Sequence, residues 1–151
     1  MGCAMRLALF SVSYAGLWGQ AALGVSEFID KAANLGYDGV MLAGKRPHLS
    51  PLDATAAHVE SIRDALQRTG LRCEVVAGYT DFVRGTAAEV PYAEMQVAYV
   101  EELARLAAAL GCGIVRVFTA YESPGQTAGA LWPRVVAALR ECCARAADHG
   151  V

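Results

Sequence analysis

Two hydrophobic rhythms alternate along this chain. Short runs are almost wholly apolar or β-prone: Leu7 to Val12, Val40-Met41-Leu42, Cys73-Glu74-Val75-Val76 and Ile114 to Phe118. Longer stretches between them carry apolar residues every three or four positions. The first rhythm is that of strands covered on both faces, the second that of helices with one apolar stripe. A helix is predicted over Val25 to Leu35, with Ser26 as N-cap and Phe28, Ile29, Ala32 and Leu35 inward. A second starts near Asp53 and buries Val59, Ile62 and Leu66. A third runs from about Tyr92 to Leu110 on Val100, Leu103, Ala107 and Leu110. A fourth carries Val136, Leu139, Cys143 and Ala146, with Pro133 in its first turn or at a kink.

A glycine closes each helical stretch: Gly36, Gly70, Gly111 and Gly150, at intervals of 34, 41 and 39 residues. Such a residue supplies the left-handed conformation that ends a helix. After the first three an apolar run begins within a few residues, and after the fourth only Val151 remains. The order is therefore β-α-β-α-β-α-β-α, an α/β chain of parallel strands joined by right-handed crossovers with outer helices. The first long loop lacks G-x-G-x-x-G and a Walker lysine, which removes the usual ligand of a doubly wound open sheet. A closed (β/α) barrel needs eight such units and about 250 residues. Residues 1–151 are expected to form a single (β/α)4 portion, with a fifth strand due at about residue 151. A half-barrel of this kind exposes two strand edges, so either a truncated sequence or association with itself or with a second half-barrel is expected.

The loops are asymmetric. Helix-to-strand turns are tight, whereas Ser13 to Gly24, Gly44 to Leu52, Tyr79 to Pro91 and Ala120 to Ala130 are long. These four leave the C-terminal ends of parallel strands, where ligands bind in such sheets. They also hold most residues suited to chemistry, including Arg84 and Tyr121.

Composition narrows the class. Of 151 residues, 55% are hydrophobic and 19% charged, which suits a packed core rather than disorder. A net charge of −2 leaves no footprint for nucleic acid or an anionic membrane. No apolar stretch is long enough to span a bilayer. Ser11, Ser13, Tyr14 and Gly16 interrupt the N-terminal apolar run, which argues against a signal peptide, and the position where a myristoylation motif wants Ser or Thr holds Arg6. Five cysteines without a C-x-x-C pair read as free thiols in a reducing, cytoplasmic setting rather than a disulfide framework or zinc site.

Four segments, MRLALFSVSY, NLGYDGVML, AEMQVAYVEELARLAAALGC and IVRVFTAYE, resemble the xylose isomerase-like TIM barrels, the sugar phosphate isomerases and epimerases. The resemblance runs from Met5 to Val151. Its strongest pieces, Gly36 to Val40 and Leu110 to Phe118, mark the fold rather than a reaction. It implies an isomerase or epimerase of carbohydrate metabolism that moves a proton beside a sugar carbonyl with a divalent metal (Mn, Mg, Co or Zn). In that family carboxylates and a histidine on the fifth to eighth strands hold the metal, and two glutamates serve as acid and base. Those positions lie beyond Val151, so no metal ligand is assignable here and this chain alone is expected to be inactive.

Candidate substrate-binding residues follow from position. Tyr14, Tyr79 and Thr119 fall at or just past strand ends, and Trp18 offers a wall for a sugar ring; the alternative for all four is packing between loops. Lys45 and Arg46 either pair with a phosphate or are solvated, and His48 either meets a substrate oxygen or is a solvated loop residue. Arg116, between Val115 and Val117, needs a partner for its charge and is assigned to the site lining. Asp81 and Glu122 are acids at the rim. Glu74 reads as structural, and His58 and His149 as helix-surface residues. The leading function is a sugar isomerase or epimerase taking a small sugar or sugar phosphate. The alternatives are a non-catalytic half-barrel that self-associates or binds a partner and, more remotely, an abasic-site endonuclease of the endonuclease IV type, which the net charge disfavours.

Overall fold

The computed structural model describes residues 5–17, 19, 21–84, 89–121 and 127–151. Four strands, β1 (Ala8–Phe10), β2 (Gly39–Ala43), β3 (Arg72–Ala77) and β4 (Val115–Arg116), alternate with α1 (Val25–Asn34), α2 (Ala56–Thr69), α3 (Tyr92–Ala109) and α4 (Ala128–Asp148). The strands pair in parallel in the order β1-β2-β3-β4. Strictly sequential order with right-handed crossovers stacks the helices on one face of the sheet, which is the barrel arrangement; a doubly wound sheet reverses its order partway. β1 and β4 each keep one edge without a partner among the described residues.

The core lies between sheet and helices. Phe28, Ile29 and Ala32 of α1, Ile62 and Leu66 of α2, and Leu103 and Leu106 of α3 close on Val40, Leu42 and Val76. Phe82, Val97, Val100, Ala138 and Cys142 continue it between α3 and α4. Gly36, Gly70, Gly111 and Gly150 all adopt positive φ, between 67° and 80°, at or beside the helix ends, so each occupies the conformation that side chains resist.

Several local expectations change. The first strand is shorter than Leu7 to Val12, because Ser11–Tyr14 tightens into a 3-10 turn. Gly24 rather than Ser26 caps α1: its amide donates to Glu27 Oε2 at 2.9 Å. Leu35 is exposed rather than inward. Thr55, two residues beyond Asp53, caps α2, its Oγ1 accepting from the His58 amide. Pro133 sits inside α4 rather than in its first turn. In that helix Val135, Ala138 and Cys142 are buried while Cys143 is exposed. The stripe of Leu139, Cys143 and Ala146 instead lines a shallow apolar groove beside β4 with Ile114 and Val117.

One irregularity bears on the site. Val40 pairs with Cys73 and Met41 with Val75, so Glu74 is an extra residue in β3, a β-bulge. Its side chain turns to the face away from the helices: a Cβ on Gly39 would stand 2.7 Å from Glu74 Cγ. There Glu74 meets Arg6 at 3.3 Å and Arg72 at 3.9 Å. This ion pair sits at the N-terminal ends of the strands, and its role is structural.

Candidate functional site

At the opposite, C-terminal ends of the strands, side chains replace missing rungs of the main-chain ladder. Ser11 Oγ accepts from the Ala43 amide at 2.9 Å. Thr80 is fully buried and its hydroxyl donates to the Phe118 carbonyl while accepting from the Phe118 amide at 2.9 Å. The β3–β4 pairing thus continues past the last regular residues. Tyr99 of α3 reaches between two strands: its hydroxyl donates to the Gly44 carbonyl at 2.6 Å and lies 3.4 Å from the Tyr79 amide. Glycines permit this approach. A Cβ on Gly44 would stand 2.7 Å from Leu103 Cδ2, and one on Gly78 3.0 Å from Leu103 Cδ1.

Alternation then decides what faces the sheet's inner side. Leu9, Val76 and Val115 pack toward the helices, so Phe10, Arg116 and Phe118 project from the other face. They meet there. The Arg116 guanidinium carbon lies 4.3 Å from the ring centroid of Phe118, 5.1 Å from that of Tyr79 and 5.7 Å from that of Phe10. Strands β1 and β4 and the end of β3 therefore frame one cation with aromatic faces, an arrangement worth about 0.5–2 kcal/mol per contact depending on desolvation. Tyr79 packs against Phe118 at 6.1 Å, and Phe118 against Tyr121 at 5.9 Å, which extends the aromatic wall outward. Lys45 Nζ lies 4.3 Å from the Tyr79 centroid. Lys45 and Tyr79 also line a cleft of about 550 Å³ between the β2–α2 loop and α3, together with Leu52, Gln96, Tyr99 and Glu102.

The electrostatics are those of an unneutralised positive site. Arg116 Nη1 and the Tyr79 hydroxyl are buried with no hydrogen-bond partner among the described residues. Burial raises the Tyr79 phenol, against the pull of the Arg116 charge, so the hydroxyl keeps its proton. Burial likewise raises Tyr99.

Of the residues singled out from sequence, Lys45, Tyr79 and Arg116 come together. His48 does not join them. It is buried against Phe28 at 6.0 Å, its Nε2 bonds the Leu23 carbonyl at 3.2 Å, and burial lowers its pKa. Nor is it solvated, because the β2–α2 loop folds it under α1. His58, read as a surface residue, is half-buried and reaches the His48 carbonyl at 3.3 Å. Tyr14 stacks on Phe28 at 6.0 Å, on the helix side of the sheet. Asp81 is buried and its Oδ1 accepts from the amides of Val83 and Arg84, each at 3.2 Å, so it shapes its own loop. Thr119 is exposed, and its carbonyl accepts from the Phe82 amide. Arg46 is held by Asp53 at 2.6 and 2.7 Å. Trp18 and Glu122 lie outside the described residues. Phe10, Tyr99 and Phe118 were not foreseen. Stepping by two from Arg116 reaches Phe118, and that strand periodicity was the available signal.

The described residues do not fit a divalent metal. Asp81 is engaged by amides, His48 by a carbonyl, and Glu74 stands at the wrong end of the sheet. Among the described residues no three His, Cys, Asp or Glu side chains are grouped to hold one.

Comparison with known proteins agrees with the architecture. A family profile described as xylose isomerase-like TIM barrel matches residues 29–151. No curated protein matches the sequence. Among solved structures, D-psicose 3-epimerase of Clostridium cellulolyticum H10, with D-tagatose, superposes with a TM-score of 0.74 at 18% identity over 97% of this chain and 50% of that one. The 3-keto-D-glucoside 4-epimerase of E. coli gives 0.70 at 19% identity, over 98% and 54%. The probable 3-DHS dehydratase of Bacillus anthracis gives 0.72 at 18%, over 97% and 50%. At these identities the likeness is one of fold, and the chain spans about half the length of each of these structures.

Proposed function

We propose that this chain, which belongs to the xylose isomerase-like TIM-barrel family, supplies the substrate-holding part of the rim of a sugar isomerase or epimerase. The observation that carries the reading is the cluster of Phe10, Tyr79, Arg116 and Phe118 at the C-terminal ends of parallel strands, the end at which barrels of this type bind ligands. Flat aromatic faces suit the C–H face of a sugar ring. Arg116, Lys45 and the Tyr79 hydroxyl supply donors for its oxygens.

The reaction proposed is proton transfer beside a sugar carbonyl. The divalent metal and the acid and base carboxylates of such a reaction would be held by polypeptide outside these residues, in units following β4. We place the protein in the cytoplasm; no helix among the described residues is long and apolar enough to cross a membrane. The test is solvent deuterium exchange. The full gene product, supplied with Mn²⁺ in D₂O, should wash deuterium into the carbon next to the carbonyl of at least one ketose or aldose. No exchange across a panel of neutral, phosphorylated and carboxylated sugars would overturn the assignment.

A second reading is a half-barrel that associates without catalysis. It is favoured by the groove of Ile114, Val117, Leu139 and Ala146 beside the free edge of β4. Light scattering tests it: a monomeric mass at high protein concentration would count against association.

A further inference from the structure

Among the described residues the positive charge of the site has no ion-pair partner. Several other arginines are tied to carboxylates, among them Arg46 to Asp53 at 2.6 Å and Arg68 to Asp30 and Arg145 to Glu101 at 2.7 Å. Among the described residues no carboxylate pairs with Arg116 or Lys45. Aromatic faces hold the Arg116 charge, and such contacts leave its in-plane N–H donors free. One of those nitrogens, Nη1, is buried without a partner, as is the Tyr79 hydroxyl next to it. A buried, unsatisfied donor is costly, the more so when charged, so a ligand that accepts from it recovers that cost. Asp81, the acid just past Tyr79 in the β3–α3 loop, is committed to two backbone amides.

We propose that the site takes a sugar bearing an anionic oxygen group, a carboxylate or a phosphate, which docks on Arg116 beside the Tyr79 hydroxyl, with Lys45 adding charge from the other contact on the Tyr79 ring. A guanidinium fork matches two oxygens of either group. A neutral sugar satisfies the donors but leaves two cations unneutralised in a partly desolvated site. This inference rests on the reading of the cluster as the substrate site and narrows the substrate class.

The experiment is calorimetric titration of the protein at fixed ionic strength with three probes: D-fructose, D-fructose 6-phosphate and D-glucuronate. A charged sugar should bind at least about tenfold tighter than D-fructose, and the two charged arms tell a phosphate site from a carboxylate site. Arg116→Met should abolish the preference, and Arg116→Lys should keep part of it. In the unaltered protein the Arg116 Nε–H resonance should shift with the preferred anion and not with chloride, a readout that needs no variant. Binding of D-fructose with no preference for either charged sugar, or a preference that survives in Arg116→Met, overturns the proposal and leaves the sugar-site reading standing. If none of the three probes binds, both fail.

Discussion

Removing one oxygen atom tests how the rim is held together. In Tyr99→Phe the ring remains, while the hydroxyl that donates to the Gly44 carbonyl at 2.6 Å is gone. Gly44 is buried, and the carbonyl loses its donor in a place where α3 packs down on the strand ends. The longer contact to the Tyr79 amide, at 3.4 Å, contributes less. A typical net hydrogen bond is worth about 1 kcal/mol, but a buried acceptor left unsatisfied costs about 1–3 kcal/mol. The expected loss is therefore about 2 kcal/mol, or about 4–8 °C in Tm for a chain of this size. Urea unfolding followed by circular dichroism measures it, with an unchanged m-value showing that the same surface is exposed. Hydrogen exchange at the Tyr79 amide should quicken in the variant beyond the global change in stability. A Tyr99→Phe protein within about 0.5 kcal/mol of the parent, with Tyr79 exchange unaltered, would refute the view that this hydroxyl ties β2 and β3 together.

Two further outcomes follow from packing and from thiol chemistry. Gly44→Ala should destabilise by about 1–3 kcal/mol through overpacking, because its Cβ would stand 2.7 Å from Leu103 Cδ2. The same change should cost less in a Leu103→Ala background, a coupling that a double-mutant cycle reads directly. Cys112 should ionise with a midpoint of about 7, against an ordinary 9.0, chiefly because the neighbouring Cys73 thiol would donate to its thiolate. Thiolate absorbance at 240 nm should therefore rise through pH 7, vanish in Cys112→Ser and shift to higher pH in Cys73→Ala. The lowered Cys112 contributes stability that is lost as pH falls through about 7, while Cys73, raised well above 9.0 by the same interaction and by burial, acts with the opposite sign as pH rises past 9.0. A single titration at the ordinary thiol value would show that the two cysteines do not interact.

The element order was legible because strands and helices here carry unambiguous periods. The four helix-ending glycines marked the repeat, and all four take positive φ. Where the reading of α4 slipped, the helix has two apolar stripes: one packs on α3, the other lines the groove beside β4, and periodicity ranks neither. The α1 cap was missed because Gly24 has no side chain to advertise it; the signal lay in Glu27, three residues on. His48 looked like a loop residue by position, yet Phe28 and the Leu23 carbonyl bury it, a tertiary effect with no local mark. Tyr99 sits in an ordinary helical stripe, and only its juxtaposition with two strand-end glycines gives its hydroxyl a task. Arg116 was legible for the opposite reason, since a charge flanked by valines in a strand demands an explanation.

The bulge at Glu74 acts as a parity switch. It places two consecutive side chains on the inner face, so every later residue of β3 is counted from an odd offset. Val75, Ala77 and Tyr79 then fall inward and Val76 toward the helices. Deleting Glu74 itself would leave Val75 opposite Met41 and Tyr79 still inward, at the cost of the contact with Arg6, whereas deleting one residue between Val75 and Gly78 would turn Tyr79 away from Arg116 and bring Thr80 into its place. The strand therefore carries one residue of slack at the closed end of the sheet and none between there and the rim.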